Sequence, residues 1–272
     1  MENNIQHGDI IVLEWTFTPS DYFEESINLE SPEYTMIIDN GKVEAKISAE
    51  VFEMNPTMKD ILHDKLNDRF LGAQLVTHKP YELSKASMYR LHPDGRKDIT
   101  IFVEPGIVRV SGTAEFIITD KDGNVIVDSK RDRIRKKKEL AALAEKYRGS
   151  DPTAASLLNS YKMAVNEPNN ELVHLYEIRD ALSKRFGDDS AARHALNITS
   201  KKWSRLGMLA NREPLKQGRH RGENPVALRD ATESELEEAR SIAKSFVEAY
   251  LLYLERSKEK SGSKQDKFPE KR

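Results

Sequence analysis

Between Asp9 and about Ser129 apolar and polar residues mostly alternate, which is the period of strands that bury one face. Ile10 to Phe17 is predicted as a first apolar strand. Tyr34 to Ile38 and Val43 to Phe52 follow as a pair, flanking Asp39-Asn40-Gly41, because Asn-Gly supplies the positive φ angles of a tight hairpin turn. In the second of these strands Val43, Ala45, Ile47, Ala49 and Val51 alternate with Glu44, Lys46, Ser48 and Glu50, so one face is expected to be buried and one wet. Asn55-Pro56 then predicts a helix start, with Asn as N-cap and Pro at the first helical position, where its missing N–H is no loss. Met58, Ile61, Leu62, Leu66 and Phe70 form its apolar stripe. Tyr81 to Leu91 and Ile99 to Val103 flank a turn at His92-Pro93-Asp94-Gly95, and Ile107 to Ile118 and Val125 to Asp128 flank another at Asp120 to Asn124.

At about Lys130 the period changes from two to that of helices. A basic first helix carries Ile134, Leu140, Leu143 and Tyr147, and Asp151-Pro152 restarts the chain with a second N-cap and proline. Glu171 to Phe186 is amphipathic and ends at Gly187, where a C-cap glycine belongs; Arg179, on its apolar stripe, is expected to snorkel or to be salt-bridged. Ser190 to Leu196 and Ser200 to Ala210 are two short helices. Thr232 and Glu235 form a capping box for a long helix reaching about Leu254.

The expected fold class is therefore α+β: an N-terminal, mostly antiparallel β domain with one helix over 1–130, then an all-α bundle over 131–255. The tail, 256–272, is charged and poor in apolar residues and is expected to be disordered.

Composition narrows the function classes. The chain has 272 residues and no cysteine, which excludes disulfides, thiolate metal sites and cysteine nucleophiles. No run approaches a membrane span and the first residues lack the features of a signal peptide, so a cytoplasmic protein without a membrane partner is expected. The net charge of -2 conceals segregation, with seven cations between Lys130 and Lys138 and a second basic region from Lys201 to Arg221. Asp120, Asp122 and Asn124 suggest a calcium loop only faintly, because the closing Glu is absent, and the histidines do not pair at helical spacing; neither a metal nor a cofactor is expected.

Candidate chemistry concentrates in the loop from Asn211 to Gly222, where His220 is crowded by arginines. RNA cleavage without a metal needs a group that moves protons near neutral pH and cations that hold the phosphate. His220 and Arg212 are the catalytic candidates, with Arg219, Arg221 and Lys216 as phosphate contacts and Gly218 and Gly222 permitting close backbone approach. The competing reading pairs these arginines with Glu233, Glu237 and Glu238. A second constellation has the spacing of a helix-turn-helix through Ala192, Leu196, Ile198, Thr199, Trp203 and Leu206, and would present Lys201, Lys202 and Arg205 to nucleic acid. There Trp203 is expected to be core.

The helical half from about Asp151 to Leu254, with its Arg-His loop before a capped last helix, resembles HEPN domains. That resemblance implies an RNase site formed across a homodimer interface, often in toxin or antiviral systems, or a relative without the motif that only binds or scaffolds. Seven residues separate Arg212 from His220, against the family's usual four to six, and His220 precedes Thr232 rather than lying at the helix start. Two further readings stand beside the RNase: a non-catalytic module whose β domain binds a protein or small ligand while the bundle dimerises, and a DNA-binding regulator.

Overall fold

In a computed structural model, the structure describes residues 8–100, 117–119, 125–219 and 228–265. The chain forms two compact units. One takes in the described residues up to Ala73 together with Tyr81–Glu139; the other takes in Gln74–Pro80 and the chain from Leu140 onward. The composition change at Lys130 is thus not the boundary between them.

The first unit is built on a seven-stranded antiparallel sheet. Its strands are β1 (Ile10–Thr18), β2 (Ile27–Glu30), β3 (Tyr34–Asp39), β4 (Lys42–Ser48), β5 (Glu82–Leu83), β6 (Ser87–Leu91) and β7 (Lys97–Thr100). They run in the order β2-β3-β4-β1-β6-β7, and β5 pairs with the end of β1. The turn between β3 and β4 has Asn40 at φ 40° and Gly41 at φ 81°, both positive as the Asn-Gly pair requires. Ile11, Leu13 and Trp15 on β1 lie opposite Ile47, Ala45 and Val43 on β4, and all six are buried.

The predicted strand Val43 to Phe52 stops early. Ser48 accepts a hydrogen bond from Val51 N at 3.2 Å and caps a short helix, α1 (Ala49–Met54), so Ala49 and Val51 are helical although they continue the alternation. Asn55 is consequently the C-cap of α1, and α2 (Met58–Thr77) begins three residues later. Phe70 on α2 sits edge-on to Phe17 on β1 at 5.1 Å and to Phe23 at 4.9 Å, and stacks on Tyr22 at 5.2 Å. A separate hairpin pairs β8 (Ile117–Thr119) with β9 (Val125–Asp128). The turn at Asp120 to Asn124, and the predicted strand residues Ile101 to Val103 and Ile107 to Phe116, lie outside the described residues.

Helix α3 (Ser129–Arg148) opens within the first unit and its second half belongs to the other. The second unit continues with α4 (Pro152–Asn166), a 3-10 turn at Pro168–Asn170, α5 (Glu171–Phe186), α6 (Asp189–Leu196), α7 (Ser200–Asn211) and α8 (Glu233–Gln265). The caps are those the sequence predicts. Asp151 accepts from Ala154 N at 2.8 Å, Gly187 ends α5 at φ 99°, and Thr232 and Glu235 form the reciprocal box through bonds of 3.3 and 2.8 Å. α8 does not stop near Leu254. It continues to Gln265, into the tail expected to be disordered, and along the way Lys146 pairs with Glu255 at 2.5 Å and Lys258 lies 5.0 Å from the Tyr147 ring. Among the described residues no helix is long and apolar enough to cross a membrane.

A candidate nucleic-acid interface on the helical unit

Four side chains recur at helical spacing along α7: Lys201, Arg205, Met208 and, at the C-cap, Arg212. Trp203, Leu206, Leu209 and Ala210 on the opposite face are buried, with Trp203 stacked on Phe246 at 5.2 Å. Trp203 is therefore core, as its position predicts, and the cationic stripe faces solvent. Lys201, Lys202 and Arg212 are exposed and have no side-chain ion pair among the described residues. Arg205 is engaged, forking onto Glu238 through bonds of 2.7 and 3.0 Å. The turn before α7 has Asn197 in the left-handed region at φ 53°, where its N–H closes α6.

The loop after α7 is closed at its neck by backbone. Lys216 N donates to Arg229 O at 2.9 Å and Arg229 N to Pro214 O at 3.0 Å, while Gln217 Oε1 accepts from Ala231 N at 3.0 Å. Leu215, at the centre of this bridge, is buried. Arg219 N donates to Ala210 O at 2.9 Å, returning the chain to the last turn of α7. Gly218 is what permits this approach, because a Cβ there would stand 3.2 Å from both Ala210 O and Leu215 O. Its small size thus permits the loop to pack on the last turn of α7. His220, Arg221 and Gly222 lie outside the described residues.

Two of the described cations of the loop, Lys216 and Arg219, are neutralised, though not by Glu233, Glu237 or Glu238, while Arg212 has no carboxylate partner among the described residues. Lys216 pairs with Asp230 at 2.8 Å and Arg219 with Asp180 on α5 at 3.0 Å. Glu233 instead meets Arg240 at 2.5 Å. Arg219 also lies 4.6 Å over the Tyr176 ring, and Arg179 lies 5.2 Å from that ring and 5.3 Å from Trp203. Arg179 is salt-bridged, as expected, to Asp189 at 2.5 Å. Alternating rings and guanidiniums thus connect the buried Phe246 to the exposed Arg219.

Glu235 joins the neck to α8. It receives the fork of Arg229 at 2.7 and 2.8 Å as well as the Thr232 N–H, and these bonds hold its carboxyl down to about 2. Because its folded value lies below the ordinary 4.5, its contribution is complete above that pH and disappears as pH falls toward 2. Glu235→Gln should therefore loosen the neck at neutral pH and remove its acid sensitivity. Amide hydrogen exchange at residues 214–216 and 229–236 checks this, and equal protection in both proteins at pH 7 would sink it. Thr232→Ala, which removes only the cap, should cost about 1 kcal/mol.

Sequence reasoning missed a second polar cluster in this unit. Glu171, at the start of α5, is 1% exposed and receives Arg240 at 2.5 and 2.9 Å. His78 Nε2 lies 3.4 Å from Glu171, and its Nδ1 lies 3.2 Å from the Tyr161 hydroxyl. The imidazole thus bridges the Tyr161 hydroxyl and the Glu171 carboxylate through its two nitrogens. Burial would raise the Glu171 carboxyl, but the bonds from His78 and Arg240 bring it below its ordinary value; burial and the Glu171 charge push Tyr161 up. The only local signal was His78 itself. Among the described residues no three His, Asp or Glu side chains converge on a metal position. No protein-family model, curated protein or solved structure matches the chain.

Proposed function

We propose that the protein is an intracellular, nucleic-acid-directed protein that engages RNA through α7 and the loop following it, acting as a homodimer in the manner of the HEPN domains it resembles. The observation that carries this reading is the solvent-facing stripe of α7. Lys201 and Arg212 stand about 16 Å apart along it, at a helical rise of about 1.5 Å per residue. Glu238 of α8 neutralises Arg205 in the middle of the stripe, which leaves Lys201 and Arg212 at its two ends. Three cations there, Lys201, Lys202 and Arg212, are without carboxylate partners among the described residues, so a phosphate backbone would displace no existing pair. The bond from Arg219 N to Ala210 O supports a catalytic role for the loop, because it holds the residue preceding His220 against the turn that ends at Arg212. In this reading His220 moves the proton and Arg212 neutralises charge developing on the phosphate.

The test is total RNA incubated with the purified protein in EDTA, beside His220→Ala and Arg212→Ala, with fragments read on a denaturing gel. Cleavage lost in His220→Ala is the expected result. Binding of single-stranded RNA should weaken at least tenfold in Lys201→Glu/Lys202→Glu, and the log–log salt slope should be about -2 for three phosphate contacts. The ion pairs of Lys216 with Asp230 and Arg219 with Asp180 favour a second reading, a non-catalytic binding module whose loop is structural. It expects uncut RNA and identical behaviour of His220→Ala and the unaltered protein. Preference for duplex DNA in the same binding assay would favour a regulator instead.

A further inference from the structure

We infer that the first unit carries a docking groove for a cationic peptide segment with an apolar anchor. The groove, of about 1,120 Å³, lies beside the turn between β2 and β3 and beside α1. Its lining runs from Glu30 on β2 across β3 and β4 to α1 and Arg90, and it is open to solvent, a shape that admits an extended length of chain.

The wall chemistry selects the occupant. Glu30, Glu33 and Glu50 line the groove, are exposed, and form no ion pair among the described residues. Two cations also line it, and both are engaged: Lys46 with Glu44 at 2.9 Å, and Arg90 with Asp9 at 3.0 Å and Glu53 at 2.6 Å. An anionic ligand would have to break these pairs, whereas a cationic one meets carboxylates that have no competitor. The apolar contribution comes from Met54, 73% exposed on α1 and also in the wall. Its flexible thioether adapts to a partner side chain, and a solvent-facing methionine adds nothing to the core. Free carboxylates around an exposed apolar side chain are complementary to lysines or arginines flanking a leucine-like residue. This site is independent of the basic stripe on α7 and of whether RNA is cleaved.

The experiment uses the full chain and a fluorescein-labelled peptide of four lysines around a central leucine, read by anisotropy, beside an otherwise identical peptide of four glutamates. The lysine peptide should bind and the glutamate peptide should not. Glu30→Lys/Glu33→Lys should weaken binding at least tenfold, Met54→Ser about threefold, and Asp60→Lys/Glu237→Lys, which makes the same change in net charge outside the groove, less than twofold. With benzophenone replacing the leucine, the crosslink should map to Met54. Equal weakening by the two charge-reversal pairs, absence of binding, or a crosslink elsewhere would overturn the assignment. All five sites of substitution are solvent-facing, and circular dichroism of each variant verifies that it folds.

Discussion

Arg240→Ala should destabilise the helical unit by about 3–5 kcal/mol, the range for removing one partner of a buried ion pair. Glu171 would be left almost wholly buried with only the long contact to His78, and Glu233 would lose its partner as well. Arg240→Lys should recover part of the loss, since an ammonium restores the charge but not the two parallel bonds of the guanidinium. Glu171→Leu/Arg240→Leu should be much milder than either single truncation, because no unpaired charge remains. The two tryptophans make the measurement specific to each unit: Trp203 reports the helical unit in a Trp15→Phe background, and Trp15 reports the sheet unit in a Trp203→Phe background. Urea unfolding followed at Trp203 that shows Arg240→Ala costing less than 1 kcal/mol would refute the account. The pH dependence follows from the same contacts. The Glu171 carboxyl is held below 4.5, so its contribution is complete above that value and is lost as pH falls through its folded value. His78, Arg240 and Tyr161 face it, and losing Arg240 should flatten this acid slope.

In the sheet unit, Glu24→Ala should cost a comparable amount, about 3–5 kcal/mol. Lys137 is 3% exposed, donates to Tyr22 O at 3.0 Å, and is paired with Glu24. Arg133 forks onto the same carboxylate, with bonds of 2.5 and 3.0 Å. Burial pushes Lys137 down although Glu24 pulls it up; burial would raise Glu24, but the bonds from Arg133 and Lys137 bring it below its usual value. Removing the carboxylate leaves two cations facing each other, one of them desolvated. Glu24→Ala/Lys137→Met should recover most of the stability. Urea unfolding at Trp15 checks both, and a double variant as unstable as Glu24→Ala would show that the pair is not the cause.

Much of the architecture was legible because its signals act over a few residues. Asn40-Gly41 has no alternative to a tight turn, Asp151-Pro152 starts a helix wherever it stands, and the Thr232–Glu235 box closes within one turn. The misreading at Ala49 has an equally local cause. An alternating run of small and branched residues suits strand or helix for its last few positions, and one hydroxyl, that of Ser48, decided between them. The short strand β2 carried no comparable signal in its four residues.

The candidate site was legible only as composition. By itself the sequence determined where cations accumulate, that no thiol chemistry is possible, and which helix carries Lys201, Lys202 and Arg205. The tertiary structure decided which of those charges remain available. Lys137, inside the most basic run of the chain, is buried; Arg205, Lys216 and Arg219 are paired with Glu238, Asp230 and Asp180; Arg212 joins the exposed stripe of α7. The physical reason is one of range: caps and turns are satisfied by neighbours in the chain, whereas a charge takes whatever partner packing brings within about 4 Å, and Asp180 reaches Arg219 only because the chain between them has folded.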